Sequence, residues 1–315
     1  MQLQTLGDHL NILTKQAEKF KSGFVGIIGK PNVGKSTLLN QLISDKVAAT
    51  SNRPQTTRNK ITAVCHVPGG QIILLDTPGI HKTTAKFNYR LVKTALNVYN
   101  DIDLILFLID AQRKFNDEDQ YVLDTMRHVK APKILVVNKI DLVAKPEVLP
   151  LMAEFAESGH FLEIVPVSAL TKEGLDSLRD IILKHLPEGP EYFPKDMVTD
   201  CPENFIMAEI IREKIMRMTH MELPHAVAVA VESIKEGHGG VVVVDATIYV
   251  EKVSQRKILI GEKGSMLKKL GSSARQEIEK RFGNKVYLNL FIKVKKNWKT
   301  DDRCLQEFGF TDDSH

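Results

Sequence analysis

Residues Gly29-Lys30-Pro31-Asn32-Val33-Gly34-Lys35-Ser36, followed by Thr37, match the pattern GxxxxGK[ST]. Glycine at the two fixed positions lets successive backbone amides curl around a β-phosphate. The start of a helix adds partial positive charge that favours the anion. Lys35 then suits the β- and γ-phosphates, and the Ser36 hydroxyl suits Mg²⁺. A glycine-rich turn of this kind also arises by chance. Here an apolar run at 24–28 precedes it and a helical pattern follows, the context in which the pattern acquires its meaning.

Three further groups have chemistry that fits the same ligand. Asp76-Thr77-Pro78-Gly79 closes an apolar run, which puts a carboxylate near a magnesium shell and the Gly79 amide near a γ-phosphate. An aspartate at a strand end is commonly no more than a turn cap, so its value depends on the P-loop upstream. Asn138-Lys139-Ile140-Asp141 follows another apolar run. The Asp141 carboxylate accepts two hydrogen bonds from the N1–H and 2-amino group of guanine, whereas adenine would leave a buried charge unpaired. Asn138 suits the N7 edge of the base, and the Lys139 stem can cover a ring face. Ser168-Ala169-Leu170 after the next run supplies backbone contacts to the base. Phosphate, magnesium, base and base, in that order at successive strand ends, predict GTP and GDP as ligands, with Lys35, Asp76 and Gly79 among the reacting groups.

Residues 44–60 are polar and aperiodic, as expected of a loop that orders around a γ-phosphate. Thr57 is the expected hydroxyl for the magnesium shell, beside Ser36 and Asp76, with Thr56 second and an ordinary turn threonine the alternative. Many GTPases place a water-orienting glutamine directly after the glycine of DTPG. Ile80 stands there, so hydrolysis is expected to be slow unaided.

The elements that must position these groups are legible as alternation. Apolar runs at 24–28, 71–75, 104–109, 134–137 and 164–167 read as buried strands. Helical patterns lie between them at 37–43, 88–100, 117–126 and 174–185. This is an α/β P-loop NTPase pattern, a doubly wound and mostly parallel sheet. Pro187, Gly189, Pro190 and Pro194 then mark a linker. Beyond it, Ala208, Ile211, Ile215 and Met218 share one helical face, and strands are expected at 225–233, 240–250 and 286–295. The expected organisation is an extension over 1–22, a nucleotide domain over 23–187, a linker over 188–202, a smaller α+β domain over 203–300 and a tail over 301–315.

Composition narrows the partners. The 315 residues are 43% hydrophobic and 26% charged, with three cysteines in no ligand pattern, which argues against a disulfide framework or a zinc site. No apolar run is long enough to span a bilayer, and Leu3, Leu6, Leu10 and Leu13 read as a short amphipathic extension. The net charge of +4 conceals a balance of +11 between residues 252 and 299, against −7 elsewhere. Segregation on that scale points to an anionic partner rather than to an ordinary solvated face. Within the basic segment, Ile260-Gly261-Glu262-Lys263-Gly264 carries a GxxG turn with Lys268, Lys269 and Arg275 beside it. Such a turn clamps about four nucleotides in a KH module.

GKPNVGKST, PQTTR, DTPG, NKID and SAL, followed by EIIREKIMR, ELPHAVAVAVE, ILIGEKG and KVKKNW, closely resemble the Era-like family of bacterial GTPases over residues 24–310. The resemblance implies a type II KH domain after the nucleotide domain. It also implies binding to the 3′ end of small-subunit ribosomal RNA and a role in 30S assembly, with GTP as switch. Asn32 matches the asparagine that relatives use to hold K⁺ near the phosphates, the implied substitute for the missing glutamine. A peripheral contact with the inner membrane, a cytoplasmic location and a monomeric state are implied as well. Two other readings compete: an RNA chaperone with negligible turnover, and a GTPase of tRNA modification. The intact Lys35, Ser36 and Asp76 speak against the first, and the absence of a reactive cysteine tail against the second.

Overall fold

The structure, a computed structural model, describes residues 19–51, 56–80, 102–113, 115–156, 160–219 and 223–308. The expected helix at 88–100, most of the 1–22 extension, residues 52–55 and the end of the tail lie outside these.

Strands β1 (Lys21–Gly29), β3 (Gly70–Asp76), β4 (Leu104–Asp110), β5 (Lys133–Asn138) and β6 (Glu163–Val167) are nearly continuous apolar runs, as burial on both faces requires. With β2 (Ile61–Val67) they form a six-stranded sheet of order β2-β3-β1-β4-β5-β6. Only β2 runs antiparallel, paired with β3 from Ile61 opposite Asp76 to Val67 opposite Gly70. Helices α1 (Lys35–Leu42), α2 (Asp117–Thr125), α3 (Lys145–Ala156) and α4 (Leu175–His185) complete the described part of this domain. Leu38, Leu39, Leu178 and Ile182 pack on one face of the sheet with Val25 and Ile27. Ile28, Phe107, Val122 and Met126 pack on the other.

Residues 188–202 lie along this domain rather than hanging free of it. Val64 donates its amide to Val198 O (2.9 Å), Thr199 Oγ1 donates to Thr62 O (2.6 Å), and the buried Gln71 side chain bonds the backbone of Tyr192 and Phe193.

The second domain places α5 (Glu203–Met218), α6 (Val253–Ile260) and α7 (Ser265–Phe282) with a sheet of order β7-β8-β9. Its strands are Val227–Glu236, Val242–Val250 and Val286–Val294, with β7–β8 antiparallel and β8–β9 parallel. Ile211 and Ile215 of α5, Ile248 of β8 and Ala274 and Ile278 of α7 are fully buried in one core. β8 starts later than position 240 because Gly239 and Gly240 occupy the left-handed turn (φ +68° and +75°).

Part of the expected tail is helical. Asp302–Glu307 form α8, capped by the Asp301 carboxylate accepting from the amides of Arg303 and Cys304. Cys304, Leu305 and Phe308 bury against Trp298, Tyr249 and Ala228 on the other face of the second sheet. The packed body therefore runs to residue 308. Apolar burial, not charge, decides the structure of this short polar stretch.

Candidate functional site

Every nucleotide motif emerges from the carboxyl edge of the first sheet, because parallel strands all deliver their ends to the same side. Gly29 ends β1 with φ +155°, and a Cβ there would meet Leu108 O at 2.6 Å. Gly34 caps α1 at φ +101°, where a Cβ would stand 2.3 Å from Asn138 Nδ2. Asn138 is a strut: Nδ2 donates to Val33 O (2.8 Å) and Oδ1 accepts from the Ala169 amide (3.0 Å). It thus ties the phosphate loop to the base loop, a role its position next to Lys139 did not announce. Gly34→Ala would force that strut aside. We expect at least an about 100-fold loss of GDP affinity in a fluorescent-nucleotide titration, the scale of a 1 Å misplacement. Retention within roughly an order of magnitude would show that the cradle tolerates the shift.

Lys35 is buried and donates to Gly29 O (3.1 Å) and Lys30 O (2.9 Å). Burial pushes its ammonium down to about 8, against the pull of Asp76. Lys30 is held elsewhere, in a buried ion pair with Asp119 (2.6 Å) and a bond to Asn116 Oδ1 (3.1 Å). Pro31 and exposed Asn32, the latter left-handed at φ +68°, cross the rim of a pocket that Ser36, Thr37, Thr56, Thr57 and Gly79 also line.

Asp76 is fully buried at the end of β3, with Oδ2 accepting from Ser36 Oγ (2.7 Å) and Thr57 Oγ1 (3.0 Å). The two hydroxyls are themselves 2.7 Å apart. Thr56 also lines the pocket, but its hydroxyl donates to Ser51 O at 3.5 Å. Asp76 Oδ1 is buried with no hydrogen-bond partner among the described residues. Burial pushes this carboxyl up, opposed by Lys35, the Ser36 and Thr57 hydroxyls and the Thr77 amide. Two hydroxyl oxygens beside an undercompensated carboxylate fit Mg²⁺, which would supply positive charge to the β- and γ-phosphates when bound. Thr77, Pro78 and Gly79 are buried beside them, and a Cβ on Gly79 would stand 3.1 Å from Lys35 Nζ. Ile80 is in the core with Ile28 and Phe107, so its side chain is withdrawn from the phosphates.

At the base end, Asp141 is exposed and accepts from Ser168 Oγ (2.6 Å) through Oδ1. Lys139 is left-handed (φ +67°) and pairs with Asp110 at 2.7 Å, which fixes its stem. Ala169 is buried and Leu170 is open to solvent.

In the second domain, Gly261 (φ +71°) and Gly264 (φ +81°) frame the turn between α6 and α7, with Lys263 itself left-handed (φ +48°). A Cβ on Gly261 would lie 2.7 Å from Met266 Cβ. Ile260 ends α6, partly buried, and Glu262 and Lys263 are exposed. A groove beside the turn is lined by Gly264, Lys268, Gly271, Arg275, Tyr287 and Leu288. Lys268 and Arg275 thus face it, while Lys269, also exposed, is not among the lining residues. Tyr287 and Leu288 of β9 carried no sequence signal, since they join the groove only because α7 packs beside β9. Three of the basic residues are otherwise occupied: Arg281 pairs with Asp45 (2.8 Å), Lys293 with Glu232 (3.5 Å) and Lys299 with Glu251 (3.0 Å).

Fold and site together define a P-loop GTPase joined to a KH domain. The family described as 50S ribosome-binding GTPase matches residues 24–139, and the KH domain family matches residues 222–299. GTPase Era of Geobacter metallireducens is 51% identical over 293 residues, 93% of this chain and 98% of the relative. That of Heliobacterium modesticaldum is 48% identical over the same share of this chain and 98% of its own length. Era of Aquifex aeolicus, solved as a variant bound to GDP and AlF4⁻, superposes with a TM-score of 0.89 at 40% identity, covering 93% of this chain and all of that one. An Era structure with MgGDPNP and nucleotides 1506–1542 of 16S ribosomal RNA also gives a TM-score of 0.89 at 40% identity, covering 93% and 99%. The chain belongs to the Era family of GTPases.

Proposed function

We propose that the protein is a GTP-driven switch that binds small-subunit ribosomal RNA near its 3′ end through the GxxG groove and assists 30S assembly. The observation that carries this reading is the pairing, in one chain, of a nucleotide cradle with an ordered magnesium corner and a basic GxxG groove. A relative of 40% identity has been solved with both kinds of ligand. In this reading Lys35 and the amides of residues 29–36 bind the phosphates, Ser36, Thr57 and Asp76 hold Mg²⁺, and Asp141 reads the purine. Gly261, Lys263, Gly264, Lys268 and Arg275 engage RNA, with Ile260, Glu262 and Lys269 flanking. Asn32 holds the K⁺ that replaces a water-orienting glutamine at Ile80. The protein acts as a monomer in the cytoplasm and touches the inner membrane only peripherally; among the described residues no helix is long and apolar enough to cross a membrane.

Single-turnover GTP hydrolysis, run with and without an RNA of the small-subunit 3′ end, tests the reading. We expect faster hydrolysis with the RNA and in potassium than in sodium. Binding should weaken steeply with salt, and Lys268→Ala should lower the salt slope by about 0.7–0.9 while leaving GDP affinity unchanged. Equal affinity for an unrelated single strand would remove the small-subunit assignment. Identical rates in sodium and potassium would remove the role of Asn32.

A further inference from the structure

The loop that carries Thr57 is held from outside its own domain. Glu213 of α5 is fully buried, and its Oε2 accepts from the Thr50 amide (2.8 Å) and the Thr50 hydroxyl (3.2 Å). Its Oε1 pairs with Lys46 (2.8 Å) and Arg217 (3.0 Å). Arg217 also donates to Thr50 Oγ1 at 2.9 Å. One residue before Glu213, buried Arg212 donates to Thr56 O while Glu209 holds its Nε at 2.7 Å. One residue after Thr57, buried Arg58 crosses to the KH sheet, donates to Val227 O (2.6 Å) and lies 6.0 Å from the centre of the Trp298 ring. The magnesium-corner threonine is thus bracketed at 56 and 58 by bonds to the KH half, and the same loop is gripped again at Thr50.

A polar loop orders only if its bonds offset the conformational entropy it loses. The Glu213 carboxylate and the Arg212 guanidinium without Thr50 and Thr56, and the Arg58 guanidinium without Val227 O, would be buried and undercompensated, so the seat of α5 and the placing of Thr50, Thr56 and Arg58 require each other. We infer that Arg212 and Glu213 of the KH half, with Arg58 of the loop, are positioning residues for GTP hydrolysis, which hold Thr57 in the magnesium corner. The inference rests on the reading of Thr57 given above and assigns to the second domain part of the chemistry of the first. Linkage makes the effect reciprocal. Ligands that order the loop fix the seat of α5, whose Ile211 and Ile215 lie in the same core as Ala274 of the RNA-groove helix α7.

The test uses the full chain with Arg212→Met, Arg212→Lys, Arg217→Ala and Thr57→Ala. It reads the Mg²⁺ concentration for half-maximal single-turnover hydrolysis and the affinities for GDP and for a non-hydrolysable GTP analogue. We expect Arg212→Met to raise the Mg²⁺ requirement about tenfold and to cut the preference for the GTP analogue over GDP by a similar factor. GDP affinity should be unchanged, and Arg212→Lys should recover part of the loss. Arg217 is half exposed, so Arg217→Ala carries the test if Arg212→Met does not fold, with the same pattern at about threefold. If Thr57→Ala shifts the Mg²⁺ requirement but neither arginine variant does, the inference falls and the site reading stands. If Thr57→Ala shifts nothing, the site reading fails first. A fall in GDP affinity equal to that for the GTP analogue marks a structural role only and also overturns the inference.

Discussion

Lys35→Ala is expected to slow single-turnover GTP hydrolysis by about 10³-fold, the scale of removing one preorganised charge from a reacting phosphate. Lys35 is already desolvated: among the described residues its ammonium bonds the carbonyls of Gly29 and Lys30, and it interacts with the buried Asp76 carboxylate. Burial pushes this ammonium down to about 8, so the cation is held at a cost that phosphate oxygens would relieve. The sign follows. A lysine depressed in the folded state weakens folding below its unfolded value, and the penalty fades as pH rises past about 8 towards 10.5. Alanine removes that penalty but also the charge facing the buried Asp76 carboxylate, so the two effects on the nucleotide-free variant oppose one another. The stabilisation that GTP confers on the parent should disappear from the variant. Calorimetry and quenched-flow hydrolysis check both halves. Hydrolysis within roughly tenfold of the parent, or a variant that GTP still stabilises as it does the parent, would overturn the assignment of Lys35 to the phosphates.

Asp141→Asn is expected to exchange guanine for xanthine selectivity, lowering GTP affinity on the order of 10³-fold and raising that for XTP. The Asp141 carboxylate is open towards solvent, with Ser168 Oγ already donating to one oxygen at 2.6 Å. The remaining acceptor capacity matches the N1–H and 2-amino donors of guanine, and a carboxamide there presents a donor instead. Xanthine carries an oxygen in place of the amino group, so donor meets acceptor again. Ser168 can donate to the carboxamide oxygen, so the loop geometry survives the change. Competition between GTP and XTP for the purified variant reads the result. Unchanged preference for GTP would overturn the assignment of Asp141 to the base.

How much of this was legible depended on whether the signal was local. The five parallel strands stood out because burial on both faces demands uninterrupted apolar runs. β2 was passed over, although Ile61, Ala63 and Val64 are buried, because it follows a polar loop directly and only its antiparallel pairing with β3 defines it. α3 was masked by Pro146 and Pro150. The first sits in the opening turn, where a missing N–H is tolerated, and the second lies within the helix. α8 leaves little local signal because its polar residues outnumber the Cys304, Leu305 and Phe308 through which it packs.

By itself the sequence determined which residue types stand at the positions read as the site: an ammonium at 35, hydroxyls at 36 and 57, carboxylates at 76 and 141, and glycines at 29, 34 and 79. These are properties of residue type and short spacing, and no fold is needed to recognise them. Tertiary structure decided what meets across long separations: Asn138 bracing Val33, Tyr287 completing the groove, and Arg212 and Glu213 gripping a loop more than 150 residues away. Such contacts leave no local pattern, because a buried ion pair is specified only when packing removes water from both partners at once.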